Sequence, residues 1–154
     1  MTGIVKGIYT AEIAGAEMIS HESALLVPDH GIDGDRYATG RGHYSHRPHP
    51  DRQVTIIEQE VLDAIAIETG IRLLPEESRR NVVTAGVSLN QLLGTEFRLG
   101  NCLLFAGREN TPCAYLEQLI GLPVMSALMG RSGINCRILT GGVAYVGDTV
   151  GGKE

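Results

Sequence analysis

No apolar run in this 154-residue chain approaches the roughly 20 residues that a membrane-spanning helix needs. The opening stretch, MTGIVKGIYTAEIAGAEM, also lacks the basic segment and long apolar segment of a secretory leader. Concentrated positive charge is missing as well. With a net charge of −5 and a pI near 5.5, the chain has no evident source for the counterion release that drives sequence-independent nucleic-acid binding. A cytoplasmic protein is expected, with neither a membrane nor a nucleic acid as partner.

Cysteine is scarce and unpaired in pattern. Cys102, Cys113 and Cys136 are odd in number and show no CxxC spacing, which excludes a disulfide framework and a thiolate zinc site as simple readings. The CxxxxCxxC spacing of a ferredoxin-like cluster is absent too. There is no Walker loop, no Rossmann GxGxxG, no HExxH and no GxSxG, so the common nucleotide, zinc-protease and serine-hydrolase signatures do not apply.

What is present is enough apolar material, 43% of residues, to bury one core, and the length suits a single domain over residues 1–154. Twenty glycines punctuate short apolar runs such as GIVKGIYTA, SALLVP, RQVTII, FRLGNCLLFAG, INCRILTGG and GVAYVGD. Their lengths and β-branched content predict at least six strands. Gly100-Asn101 between two apolar runs predicts a two-residue hairpin. In IIEQEVLDAIAIETG the near-helical spacing of Val61, Leu62, Ile65 and Ile67 predicts one amphipathic helix of about three turns, stopped at Gly70.

Further short helical turns are expected after Pro75 and after Ser88, where Ser88 and Gln91 have capping-box spacing. Pro123 should divide the segment from Cys113 to about Met129 into two short helices. The fold class is therefore mixed and β-rich, a curved sheet or barrel with several short peripheral helices.

Among the thiols, Cys102 in NCLLF and Cys136 in NCRIL sit in apolar strand surroundings, where cysteine is usually an inert small hydrophobe. Cys113 in ENTPCAYLE follows a proline and precedes a helix-compatible segment. Positive charge at a helix start would favour thiolate, which is both a nucleophile and a soft metal ligand. Filling a gap beneath the turn is the alternative.

Basic side chains recur in polar loops. Asp35 and Arg36 lie in GIDGDRY, where Arg36 either binds an anion or pairs with Asp35. The stretch GRGHYSHRPHPDRQ holds His43, His46 and His49 with Arg52, a partly basic lip more readily than a zinc site. Arg79 and Arg80 precede Asn81 and a strand; neighbouring arginines point apart, so one can be structural while the other meets a phosphate or carboxylate.

Taken in order, GIDGDRY, DRQVTIIEQEVLDAI, ESRRNVVTAGVSLNQLLGTEFRLGN, PCAYLE and INCRILTGGVAYVGD resemble the MOSC family, named for the C-terminal domain of molybdenum-cofactor sulfurase. The resemblance covers roughly residues 3–150. It implies a MOSC-type β-barrel with peripheral helices, a pocket for molybdenum cofactor (molybdopterin) or another small anionic ligand, and a functional cysteine. It carries no expectation of pyridoxal phosphate.

The functional cysteine of the family matches Cys113, as catalytic residue, metal ligand or sulfur carrier. Arg36 with Asp35, Arg52, and Arg79, Arg80 and Asn81 match the family's GDR, RQ and RRN segments as cofactor-binding residues. Many relatives carry a second cysteine just before the functional one, where this chain has Asn110 and Thr111, so one sulfur must act alone. The resemblance leaves three functions open: a stand-alone cofactor-binding or sulfur-carrying domain, a molybdenum-dependent reductase of N-hydroxylated compounds, or a non-catalytic anion-binding or assembly module. A reductase would need a separate electron-donor protein, and a redox or molybdoenzyme partner is a further expectation.

Overall fold

The computed structural model describes residues 2–153. Strand β1 (Thr2–Thr10) is long enough to serve three neighbours. Its beginning pairs with β11 (Thr149–Gly152), its length with β6 (Val82–Ala85), and its end with the short β2 (Ile19–His21). A register shift between Val5 and Gly7 reverses which face of β1 is buried, so Val5 and Ile8 both point into the core. A bulge has this effect, because one extra residue flips every later side chain to the other face.

From β11 the wall continues through β7 (Glu96–Leu99), β8 (Cys102–Glu109), β9 (Ile134–Thr140) and β5 (Val54–Glu58), and returns to β6 and β1. Seven strands thus close into a barrel, which leaves no open edge on that ring. All pairs are antiparallel except β5–β6. The parallel pair requires a crossover, and helix α2 (Gln59–Thr69) lies within it, ended by Gly70 at φ 76°. Strands β3 (Ser23–Val27), β4 (Gly31–Ile32) and β10 (Gly142–Tyr145) make a separate three-stranded sheet.

The hairpin predicted at Gly100-Asn101 joins β7 to β8, with Leu99 opposite Cys102. Gly100 alone has positive φ, 57°, as a type II′ turn requires at its first central position. Three short helices complete the fold: α1 (Arg36–Thr39), α3 (Ala114–Ile120) and α4 (Met125–Leu128). Gly121 and Pro123 separate α3 from α4, as the sequence predicts. The turns after Pro75 and Ser88 are single 3-10 turns, Glu76–Ser78 and Leu89–Leu92; the Ser88 side chain does not cap the second one, so the capping box is not formed.

Two apolar cores result. One fills the barrel, with Val5, Ile56, Phe97, Leu99, Leu104 and Ile134. The other lies outside the β5–β6 wall, where Ile57 and Val83 meet Ile65 of α2, Leu116 of α3, and Val124 and Leu128 at α4. Adjacent Ile56 and Ile57 thus serve opposite faces of a strand buried on both sides, which is why VTII reads as an unbroken apolar run. No described helix is long and apolar enough to cross a membrane.

Candidate functional site

A cavity of about 370 Å³ lies against the outer face of the barrel wall, on the side opposite Val54, Ile56, Ile134 and Cys136 of the barrel core, and its lining brings together Cys113, Arg36, Arg52, Arg79 and Arg80. A polar row forms across four strands there. Arg108 of β8 pairs in register with Asn135 of β9, and Asn135 pairs with Thr55 of β5. Thr55 in turn is tied to Asn81 just before β6. Arg108, Asn135 and Thr55 line the cavity, and sequence reasoning missed all three.

The arginines divide by what holds them. Arg80 is buried and all three of its nitrogens donate within the protein, to the Ser132 carbonyl at 3.1 Å, the Ser132 hydroxyl at 2.5 Å and the Ser78 carbonyl at 2.9 Å. Burial pushes its guanidinium down to about 10, while negative charge on Cys113 acts in the opposite direction. Arg36 pairs with Asp35 at 3.0 Å and donates to the Arg79 carbonyl at 3.1 Å. Arg52 donates to the carbonyls of Tyr44 and Arg47 and lies 5.1 Å over the Tyr44 ring.

Arg79 differs. It sits at φ 61°, in the left-handed region that a non-glycine residue seldom occupies. That turn lets it and Arg80 both reach the cavity although they are neighbours in sequence. One of its nitrogens donates to the Ala16 carbonyl at 2.7 Å, but Nη2 is buried with no partner among the described residues. Nε of Arg108 is buried without a partner as well. Of the arginine pair at 79–80, then, one is fully bonded and the other keeps a free donor.

Two expected site residues work on the backbone instead of lining the cavity. Asn81 is fully buried; its carbonyl oxygen accepts from the Thr55 backbone and hydroxyl, and its amide donates to the Tyr9 carbonyl. Asp35 caps α1 by accepting from the Tyr37 N–H, and also accepts from the Ala11 N–H. Their placement is a consequence of burial: a buried amide or carboxylate must be satisfied by nearby donors, and here the chain supplies them.

Cys113 is half-buried, at the border of the outer core. It is the N-cap of α3, with extended backbone at φ −138° and ψ 160°, and its side chain makes no capping bond. The sequence expected helix charge to act on this sulfur, but α3 has only seven residues. The sulfur's hydrogen-bond partner is instead the Tyr44 phenol. That bond, followed by burial, pushes the phenol up to about 12, so Tyr44 stays protonated and donates. Burial raises the thiols of Cys102 and Cys136, which lie in the barrel core.

The histidine-bearing segment before β5 packs onto α3. His43 stacks on Tyr115 with ring centroids 3.6 Å apart and planes 8° from parallel. His49 accepts from the Asp51 N–H at 3.1 Å and caps the turn Pro50–Arg52. Among the described residues no three His, Cys, Asp or Glu side chains cluster as a metal ion would require.

The site is a thiol held against the outside of a closed mixed barrel, lined among the described residues by five arginines and a single carboxylate, Glu109. Residues 43–151 match the MOSC domain family model, and the chain belongs to that family. Its fold is similar to the crystal structure of the YuaD protein from Bacillus subtilis, at 25% identity and a TM-score of 0.80, covering 97% of this chain and 94% of that one. YiiM from Escherichia coli is similar over 97% of this chain and 68% of its own, at 20% identity and a TM-score of 0.72. YiiM from Geobacillus stearothermophilus is similar over 99% and 73%, at 16% identity and a TM-score of 0.69. No curated protein sequence matches the chain at a significant level.

Proposed function

We propose that this domain binds molybdenum cofactor through its pterin phosphate and presents the Cys113 sulfur to the metal. The observation that carries this reading is the donor set of the cavity among the described residues: one accessible thiol, five guanidiniums against one carboxylate, and two buried guanidinium nitrogens without partners. Buried N–H groups left unpaired cost about 1–3 kcal/mol each, a cost that an oxyanion bound beside them removes. A soft thiolate suits a soft metal. The residues present therefore fit the group that MOSC domains are associated with.

In this reading Arg79, supported by Arg36 and Arg80, holds the phosphate, and Cys113 faces the metal. When bound, the cofactor would supply a metal centre able to exchange an oxygen atom and two electrons. The chain's own part is positional. Tyr44 donates to the sulfur and keeps it turned toward the cavity, and the stacked His43 and Tyr115 hold the loop that carries Tyr44 against α3. With no second thiol beside Cys113, disulfide formation within the site has no partner.

The test is the molybdenum and pterin content of protein reconstituted with cofactor under anaerobic conditions. Wild type should retain both, and Cys113→Ser should retain pterin while losing most of the molybdenum. Absence of both from the wild type would remove the reading. A persulfide on Cys113, found by mass spectrometry in protein that holds no metal, would assign the sulfur to carriage instead.

A further inference from the structure

The five arginines form two groups. Arg79 and Arg80, each depressed first by burial, also feel the positive charge of Arg36. Arg52, depressed first by burial, feels Arg108 instead. The strand order explains the separation: Arg79 and Arg80 precede β6, whereas Arg108 lies on β8, three strands away across β5 and β9. At about 4.8 Å per strand, that is on the order of 14 Å along the wall.

Arg108 owes its direction to a bulge. The β8–β9 register shifts between Ala106 and Arg108, and Gly107 occupies the shift. A Cβ on Gly107 would lie 2.0 Å from the Asp51 carboxyl carbon, so the strand can pass there only without a side chain. Beyond the bulge Arg108 lines the cavity, makes no ion pair among the described residues, and keeps Nε buried and unpartnered. A second cavity, about 340 Å³ and bounded by His30, Pro48 and His49, shares Tyr37, Tyr44 and Arg52 with the first, so there is additional room on the Arg52 side.

We infer that Arg108 and Arg52 form a second oxyanion site, distinct from the one at Arg36 and Arg79, and that it takes the carboxylate or phosphate of the small molecule processed in this cavity. This rests on the cofactor reading above for the first site. The physical basis is the same at both: a desolvated guanidinium with an unused N–H gains most from a charged, fork-shaped acceptor. Two such sites set apart along one wall select ligands, or pairs of ligands, with separated negative groups.

The test titrates inorganic phosphate into cofactor-free protein at low ionic strength, by calorimetry and phosphorus NMR. Two phosphates should bind per chain. Arg108→Gln should weaken one by about tenfold or more and spare the other, Arg79→Gln should do the reverse, and Arg108→Lys should weaken its site less than glutamine does. Because the Arg108 side chain makes no hydrogen bond among the described residues, unchanged thermal unfolding of Arg108→Gln serves as the control. A single phosphate, or a phosphate at the β8 side that ignores Arg108→Gln, overturns the inference.

Cofactor-loaded protein distinguishes the sources of the anion. One phosphate should still bind it, sensitively to Arg108; loss of both on loading would mean that the cofactor itself spans the two sites and would overturn assignment to a separate substrate. Two phosphate sites in a protein that retains neither pterin nor molybdenum would remove the cofactor reading and leave the two-anion site standing.

Discussion

Cys102, Cys113 and Cys136 differ by burial far more than by local sequence. The first and last are fully buried in the barrel core, whereas Cys113 is only half-buried and faces a cavity. Alkylation follows thiolate fraction and access together. In folded protein iodoacetamide should therefore modify Cys113 at least about tenfold faster than either other thiol, as mapped by mass spectrometry. Equal rates for the three would contradict the geometry. The sequence already separated Cys113 from the other two by the flanking proline and the apolar strands around its counterparts, but it could not find Tyr44. That contact joins residues far apart in the chain and depends on how the loop before β5 lies on α3.

A second prediction at this scale concerns Tyr44. Its phenol is raised from 10.0 to about 12, mainly by the bond to Cys113 and then by burial. The folded state thus holds this proton more tightly than the unfolded one. Its contribution to stability is complete below pH 10 and fades as pH climbs toward about 12. In cofactor-free protein, ultraviolet titration should show a late tyrosine ionisation that is missing from Tyr44→Phe. Cys113→Ala should move that ionisation back toward the ordinary tyrosine range, and an unmoved step would mean that another phenol is responsible.

Elements were easier to read than the sites between them. The long helix, the two-residue hairpin and the proline break between α3 and α4 each rest on local chemistry, namely side-chain period, turn residues and a missing N–H, which neighbouring sequence contains in full. The bulge at Gly107 does not. A glycine within CLLFAGRE is a recognised sign of a bulge, but that this one makes way for Asp51 and turns Arg108 into a cavity is a tertiary fact. Asp51 cannot easily yield, since it is buried and pairs with Arg137 at 2.8 Å. Gly107→Ala should therefore destabilise the protein by about 1–3 kcal/mol in urea unfolding. It should also reduce phosphate binding at the Arg108 side, whereas a substitution with no effect on either would show that the strand can relax around the new methyl.

On the scale of the whole molecule, closure was the step that pattern could not supply. The barrel is sealed where Thr2, Gly3 and Ile4 meet Gly151, Val150 and Thr149, a contact between the two ends of the chain that no local window contains. Closure makes one core continuous and leaves the helical core outside it, covered by α2, α3 and α4. The two differ in what holds them. Long hydrogen-bonded ladders surround the barrel core, whereas α3 and α4 are seven and four residues long and too short to persist without packing. The outer layer should therefore open first, and Cys113 would move with it because it begins α3. Native-state hydrogen exchange should show amides of α3 and α4 opening at lower free energy than those of β5, β8 and β9. Leu128→Ala, which removes a fully buried side chain from the outer core, should cost about 2–5 kcal/mol. It should speed Cys113 alkylation while leaving Cys102 and Cys136 protected at low denaturant. If all three thiols became reactive together, the barrel and the helical layer would be one cooperative unit, and the site would be as rigid as the wall behind it.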